Sequence, residues 1–121
     1  GEIFSSKQIT CSAQIPDSPV TIKMNETLAT ILVTNIIKNA FVHSPEGSKV
    51  TLTLTENELV VKNSGDSPLD SSRIFERFYQ GSKKEGSTGL GLALAKTIAD
   101  RCGIRLTYSY VDGMHRFSVK F

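Results

Sequence analysis

The chain has 121 residues, the size of one domain, and 39% of them are apolar, enough for a real core. Its formal net charge of +2 comes from charged residues of both signs, 21% of the chain, so nothing argues for nucleic acid; that would need Lys and Arg gathered on one face. No apolar run nears the length of a membrane span, no signal-peptide pattern is present, and Cys11 and Cys102 lack metal-ligand spacing.

The two cysteines read as reduced thiols in a cytosolic setting, with a disulfide as the alternative. Gly1 reads as a cloning remnant. No internal repeat or low-complexity tract is visible. Residues Gln8 to Ile15 alternate polar and apolar as a half-buried strand does. Pro16-Asp17-Ser18-Pro19 is a turn, and Val20 to Met24 reads as a second short strand. Asn25 suits an N-cap, because its side chain can accept from free N–H groups of the next turn. A helix is predicted from there to about Val42, stopping before Pro45-Glu46-Gly47.

Lys49 to Thr55 and Glu58 to Asn63 alternate with period two around Glu56-Asn57, a hairpin pattern. Ser64 to Leu69 is a loop, and Asp70 to Phe78 reads as one short helix. Gly81 to Ser87, which includes Lys83-Lys84, has no apolar residue and is expected to be mobile. Leu90 to Cys102 is the second long helix, with Gly103 as its C-cap. Arg105 to Val111 and Met114 to Phe121 flank Asp112-Gly113, a strong hairpin signal. The predicted fold is an α/β two-layer sandwich of the α+β type. A mixed, mainly antiparallel sheet of about five strands packs on three helices, all in one domain over residues 1–121.

Three segments stand out chemically. On the first long helix, turned about 100° per residue, Thr27, Thr30, Thr34 and Lys38 make a polar face, and Ala29, Val33, Ile36, Ile37 and Ala40 face a core. Asn35 and Asn39 lie off the polar face, four apart and stacked. A buried amide without a partner costs on the order of 1–3 kcal/mol. Either backbone or water satisfies the pair, or it lines a ligand cleft, where an asparagine oxygen suits Mg²⁺. His43 extends the line one turn further and is read as structural.

Second, Asn63-Ser64-Gly65-Asp66-Ser67-Pro68 follows directly on a strand. It is an ordinary polar turn, or a loop where Gly65 lets a ligand approach the backbone and Asn63 accepts from an amine such as that of adenine. Third, Gly86, Gly89 and Gly91 run straight into an apolar helix. The free N–H groups and dipole at a helix start favour an anion, and Thr88 adds a hydroxyl donor. No Gly-Lys-Ser/Thr follows, so this is not a Walker loop, and no strand precedes it, as a dinucleotide fingerprint requires. Between the second and third segments, Phe75 and Phe78 are expected to pack together as an anchor for the mobile loop. Arg77 carries a fixed charge suited to phosphate, with Glu76 as its competing partner.

In this order the segments resemble the catalytic and ATP-binding domain of sensor histidine kinases, of the Bergerat-fold superfamily that also holds DNA gyrase, mismatch-repair ATPases and heat-shock chaperones. The resemblance runs from about Val20 onward. Asn35-Ile36-Ile37-Lys38-Asn39-Ala40 is similar to the N box, Asn63 to Ser67 to the first glycine box, Ile74 to Tyr79 to the F box, and Gly86 to Leu92 to the second glycine box. Any one box is common; four in order are not.

The resemblance implies ATP and Mg²⁺ as ligands. Asn39 would ligate Mg²⁺, Asn35 would line the same pocket, and Arg77 would approach the γ-phosphate, which makes Asn35 and Arg77 the candidate catalytic pair. Asn63, Gly65 and Ser67 would meet the adenine end. Thr88, Gly89, Leu90, Gly91 and Leu92 would meet the phosphates, and Tyr79 to Ser87 would be the ATP lid. The usual Asp-x-Gly-x-Gly is Asn63-x-Gly65-x-Ser67 here, so adenine binding is expected to persist with lower affinity.

In the ATPase relatives a glutamate stands where Asn35 does and acts as base on water; asparagine cannot, so hydrolysis should be poor. The implied acceptor is a histidine on a separate dimerisation hairpin. Neither His43 nor His115 has such surroundings, so the chain is expected to be a fragment without its phosphoacceptor. The resemblance further implies a downstream response regulator, an isolated domain that is monomeric, and a cytoplasmic position within a parent sensor of the inner membrane. The alternatives are a nucleotide-binding pseudokinase acting by protein contact, and a serine kinase of the same fold that acts on a partner protein.

Overall fold

The computed structural model describes residues 9–77 and 90–121. The strands are β1 (Thr10–Gln14), β2 (Lys49–Leu54), β3 (Glu58–Ser64), β4 (Arg105–Val111) and β5 (Met114–Lys120); the helices are α1 (Glu26–His43) and α2 (Gly91–Arg101). They form one sheet in the order β1-β2-β3-β5-β4. β1 runs parallel to β2, and the other pairings are antiparallel. The mixed, mainly antiparallel sheet is as expected.

Local chemistry sets the boundaries. The Asn25 side chain accepts from Leu28 N–H at 3.0 Å and caps α1. At its other end Ser44 turns extended, with Pro45 behind it. α2 ends in a left-handed Gly103 (φ +69°), and Ile104 N–H donates to the Ala99 carbonyl at 2.9 Å, a Schellman closure. Asp112 (φ 54°) and Gly113 (φ 75°) both take positive φ, as the two-residue β4–β5 turn requires.

α1 and α2 pack on each other and on one face of the sheet. Leu32, Ile36 and Ala40 of α1 meet Ala95, Ile98 and Ala99 of α2 over Val50, Leu59, Val61, Leu106, Phe117 and Val119. The buried stripe of α1 therefore centres on the i, i+4 row of Leu32, Ile36 and Ala40. Val33 and Ile37 are only half-buried on one flank, with Asn35 and Asn39 half-buried on the other. The predicted polar face of Thr27, Thr30, Thr34 and Lys38 is exposed.

Two predicted elements are absent. Val20 to Met24 does alternate in burial, and Met24 packs on the core, but the segment forms no strand, because no sheet edge pairs with it. The described part of the predicted Asp70 to Phe78 helix is a run of turns with i→i+3 bonds, Arg73 N–H to Asp70 O and Glu76 N–H to Arg73 O. Asp70 instead accepts from the Ser72 N–H and hydroxyl, at 3.0 and 2.6 Å, and these bonds hold its carboxyl below the usual range. The described residues thus hold two helices, not three. Among them, no helix is long and apolar enough to cross a membrane.

Candidate functional site

The sheet face beneath the helices changes character along its length. Leu59 and Val61 of β3 enter the core, and Asn63, two residues on, stays on that face and is 1% exposed. Its Nδ2 reaches only the Ser64 carbonyl at 3.5 Å, a marginal bond. Its Oδ1 is buried with no hydrogen-bond partner. Such an atom costs about 1–3 kcal/mol unless something fills it. An amine donor from a ligand would satisfy it.

Asn35 holds its amide in place by donating to the Ile31 carbonyl at 2.8 Å, so the backbone satisfies half of it. Its Oδ1 turns toward Gly91, where a Cβ would stand 3.1 Å away. The middle of α1 and the first residue of α2 therefore meet face to face, and glycine is what lets them approach. Asn39, one turn along α1, is half-buried on the same flank. Among the described residues its side chain makes no hydrogen bond, and no group of three His, Cys, Asp or Glu could hold a metal.

The two helix starts differ. α1 carries a side-chain cap and Glu26 in its first turn, whereas among the described residues α2 has no side-chain cap and no acidic residue there. The start of α2 lies next to Asn35, and its N–H groups and the positive end of its dipole make a setting that favours an anion. Leu92 packs on the core and fixes this turn, while Leu90 is partly exposed.

The first glycine box lies on the β4–β5 hairpin. Gly65 N–H donates to the Gly113 carbonyl at 3.1 Å, and the Tyr110 hydroxyl donates to the Gly65 carbonyl at 2.6 Å. A Cβ on Gly65 would lie 2.0 Å from His115 Nε2, so the ring occupies the place of a side chain. His115 Nδ1 is 2.8 Å from the Tyr108 hydroxyl, which also accepts Leu69 N–H at 2.9 Å. His115, Tyr108 and Tyr110 carry no weight in the sequence motifs. Their signal is the placing of polar-tipped aromatics at strand positions whose neighbours, Leu106 and Phe117, are core.

Other predicted residues fall outside this cluster. Ser67 is exposed in a bend. Arg77 is exposed, and Glu76 accepts from Arg73 at 3.4 Å. Phe75 packs edge-on against Phe117, with ring centroids 6.3 Å apart, and the Lys96 ammonium lies 5.8 Å from its ring centre. Thr88, Gly89, Phe78 and the predicted lid from Tyr79 to Ser87 lie outside the described residues. Cys11 and Cys102 are free thiols, so no disulfide joins them.

Burial holds the His115 imidazole below its ordinary 6.5. Above pH 6.5 both folded and unfolded chains carry it neutral, and its full contribution to stability is present. As pH falls below 6.5 the unfolded chain takes a proton that the folded chain refuses, so stability drops until the folded pKa is passed. Urea midpoints measured from pH 7.5 to 5 should fall, and fall less steeply in His115→Asn. Parallel slopes would contradict this.

The family described as "Histidine kinase-, DNA gyrase B-, and HSP90-like ATPase" matches residues 24–121. Sensor histidine kinase WalK of Bacillus subtilis is 31% identical over 124 residues, covering 93% of this chain and 20% of that protein. Sensor histidine kinase RppB of Synechocystis is 36% identical over 107 residues, covering 80% of this chain and 24% of that protein. The chain thus spans about a fifth to a quarter of these relatives.

Among solved structures, the mycobacterial sensor histidine kinase MprB superposes with a TM-score of 0.80 at 22% identity, covering 99% of this chain and 91% of that one. The nucleotide-free catalytic domain of histidine kinase ThkA gives 0.83 at 18% identity, covering 99% of this chain and 82% of that one. At such identities these two show the shared fold. The chain belongs to the histidine kinase-, DNA gyrase B- and HSP90-like ATPase family, and the relatives named above are sensor histidine kinases.

Proposed function

We propose that this domain binds ATP with Mg²⁺ and supplies the γ-phosphoryl group to a histidine on a separate dimerisation hairpin of the same parent protein, in a two-component pathway ending at a response regulator. The observation that carries the reading is the meeting of Asn35 with Gly91 at the start of α2. On this reading the N-box helix and the start of α2 would be two walls of one nucleotide site. Asn63, with its unpartnered buried oxygen, supplies an acceptor for the adenine amine on the sheet beneath.

The donor set fits the ligands. The half-buried oxygen of Asn39 would be a protein ligand to the metal, with phosphates and water completing the shell, as hard, water-retaining Mg²⁺ prefers. Bound there, the ion would neutralise charge on the phosphates. The N–H groups opening α2 would hold phosphate oxygens, and Arg77 would add a fixed positive charge beside the γ-phosphoryl group. The imidazole nitrogen of the hairpin would attack the γ-phosphorus as the bond to the bridging oxygen breaks and ADP leaves. The domain's part is alignment and charge stabilisation. In this reading the domain is cytoplasmic, within a membrane-anchored sensor.

Titration with a fluorescent ATP analogue, with and without Mg²⁺, tests the reading, and absence of binding at millimolar nucleotide would end it. Phosphotransfer to a supplied histidine hairpin separates a kinase from a pseudokinase. Because Asn35 cannot take a proton from water, ATPase turnover should be negligible, and Asn35→Glu should raise it to a slow rate at most. A phosphate-release assay showing fast turnover in the unmutated protein would contradict the assignment of Asn35.

A further inference from the structure

Val50, Asn63, His115 and Tyr110 pair across β2, β3, β5 and β4 as one row of the helix-facing side of the sheet. The next row is Leu52, Val61, Phe117 and Tyr108. The pairings Asn63↔His115 and Ser64↔Met114 already complete the β3–β5 ladder. The hydroxyls of Tyr108 and Tyr110 and the ring of His115 are not needed for it. Each goes instead to the loop after β3: Tyr110 to the Gly65 carbonyl, Tyr108 to Leu69 N–H, and His115 to both Tyr108 and the open face of Gly65. The rings themselves are locked. Tyr108 lies 5.1 Å from Phe117 and 5.9 Å from His115, and Tyr110 lies 5.3 Å from His115, centroid to centroid. At the root of this loop sits the buried Asn63 with its unpartnered oxygen.

We propose that His115, Tyr108 and Tyr110 are positioning residues that fix the 65–69 loop so that the Asn63 carbonyl oxygen stays open to the exocyclic amine of a purine. Phenylalanine at 108 or 110 would fill the same space and remove the hydroxyl's bonds, to Leu69 and His115 at 108 and to Gly65 at 110. A loop released from them could turn its own N–H groups onto Asn63 Oδ1 and close the acceptor. The inference rests on the ATP-binding reading and adds that base preference is set from the C-terminal hairpin, which holds none of the four boxes.

The test is competition of ADP and inosine diphosphate, which carries an oxygen in place of the amine, against a fluorescent ATP analogue. The proteins are the unmutated chain, Tyr108→Phe, Tyr110→Phe, His115→Ala and His115→Asn. Unmutated protein should prefer ADP. Each Phe variant and His115→Ala should lose about 3- to 10-fold of that preference, the scale of one hydrogen bond. His115→Asn, which can still bond the Tyr108 hydroxyl, should recover part of it. Amide exchange at Leu69 should quicken in Tyr108→Phe. Equal weakening of both nucleotides would mean a merely structural role and overturn the proposal, as would an unchanged preference in the variants. Unmutated protein that binds neither nucleotide would end the ATP reading and this inference together; binding with no preference would end this inference alone.

Discussion

Asn39→Ala is expected to remove the magnesium dependence of nucleotide binding and leave the fold intact. Asn39 is half-buried on the edge of the buried stripe of α1, beside Ile36 and one turn beyond Asn35, outside the core cluster. Among the described residues its side chain makes no hydrogen bond, so truncation leaves no partner stranded. Alanine is also the best helix former. The stability change should therefore stay within about 0.5 kcal/mol. Binding is another matter, because a lost interaction with a charged group is worth about 1.5–3 kcal/mol, or about 10- to 100-fold in affinity. Affinity in Mg²⁺ should fall to the value that the unmutated protein shows in EDTA. If the variant still responds to Mg²⁺ as before, the metal lies elsewhere.

Gly65→Ala is expected to cost about 2–4 kcal/mol of stability, the sum of an overpacked site and a broken hydrogen bond. The added methyl would stand 2.0 Å from His115 Nε2, 2.5 Å from its Cδ2 and 2.9 Å from its Cε1, so the whole ring must leave. It cannot leave cheaply, since Nδ1 is bonded to Tyr108 and the ring is paired with both tyrosines. If the loop moves instead, it gives up the bonds to Tyr110 and Gly113. Denaturant midpoints would show the loss. His115→Ala in the same background should recover much of it, because the clash is between these two residues. A variant as stable as the parent would show that the ring and the loop do not meet in solution.

Much of the frame was legible in the residues. Asn25, Pro45, Gly103 and Asp112-Gly113 act within a few residues of themselves, through capping and positive φ, and the structure bears them out. Val20 to Met24 shows where such reading stops. Its alternation is real, yet a strand also needs a neighbouring edge, and the edge belongs to the sheet as a whole. Asp70 to Phe78 fails for the opposite reason, since Asp70 bonds Ser72 locally and its carboxylate competes with helical pairing.

The site divides in the same way. Asn35, Asn39, Asn63 and the glycines before α2 announce themselves by being polar or small where an apolar residue is expected, and that is a property of sequence spacing. That Asn35 abuts Gly91, 56 positions away along the chain, was decided by how α1 packs on α2. That Asn63 keeps an unpartnered oxygen, while His115, Tyr108 and Tyr110 grip the loop beside it, was decided by cross-strand register. Caps, turns and periodicity are short-range interactions and can be read locally. Contacts between distant segments exist only once the core has closed, and in this protein those contacts set Asn35 against Gly91 and the loop after β3 against the β4–β5 hairpin.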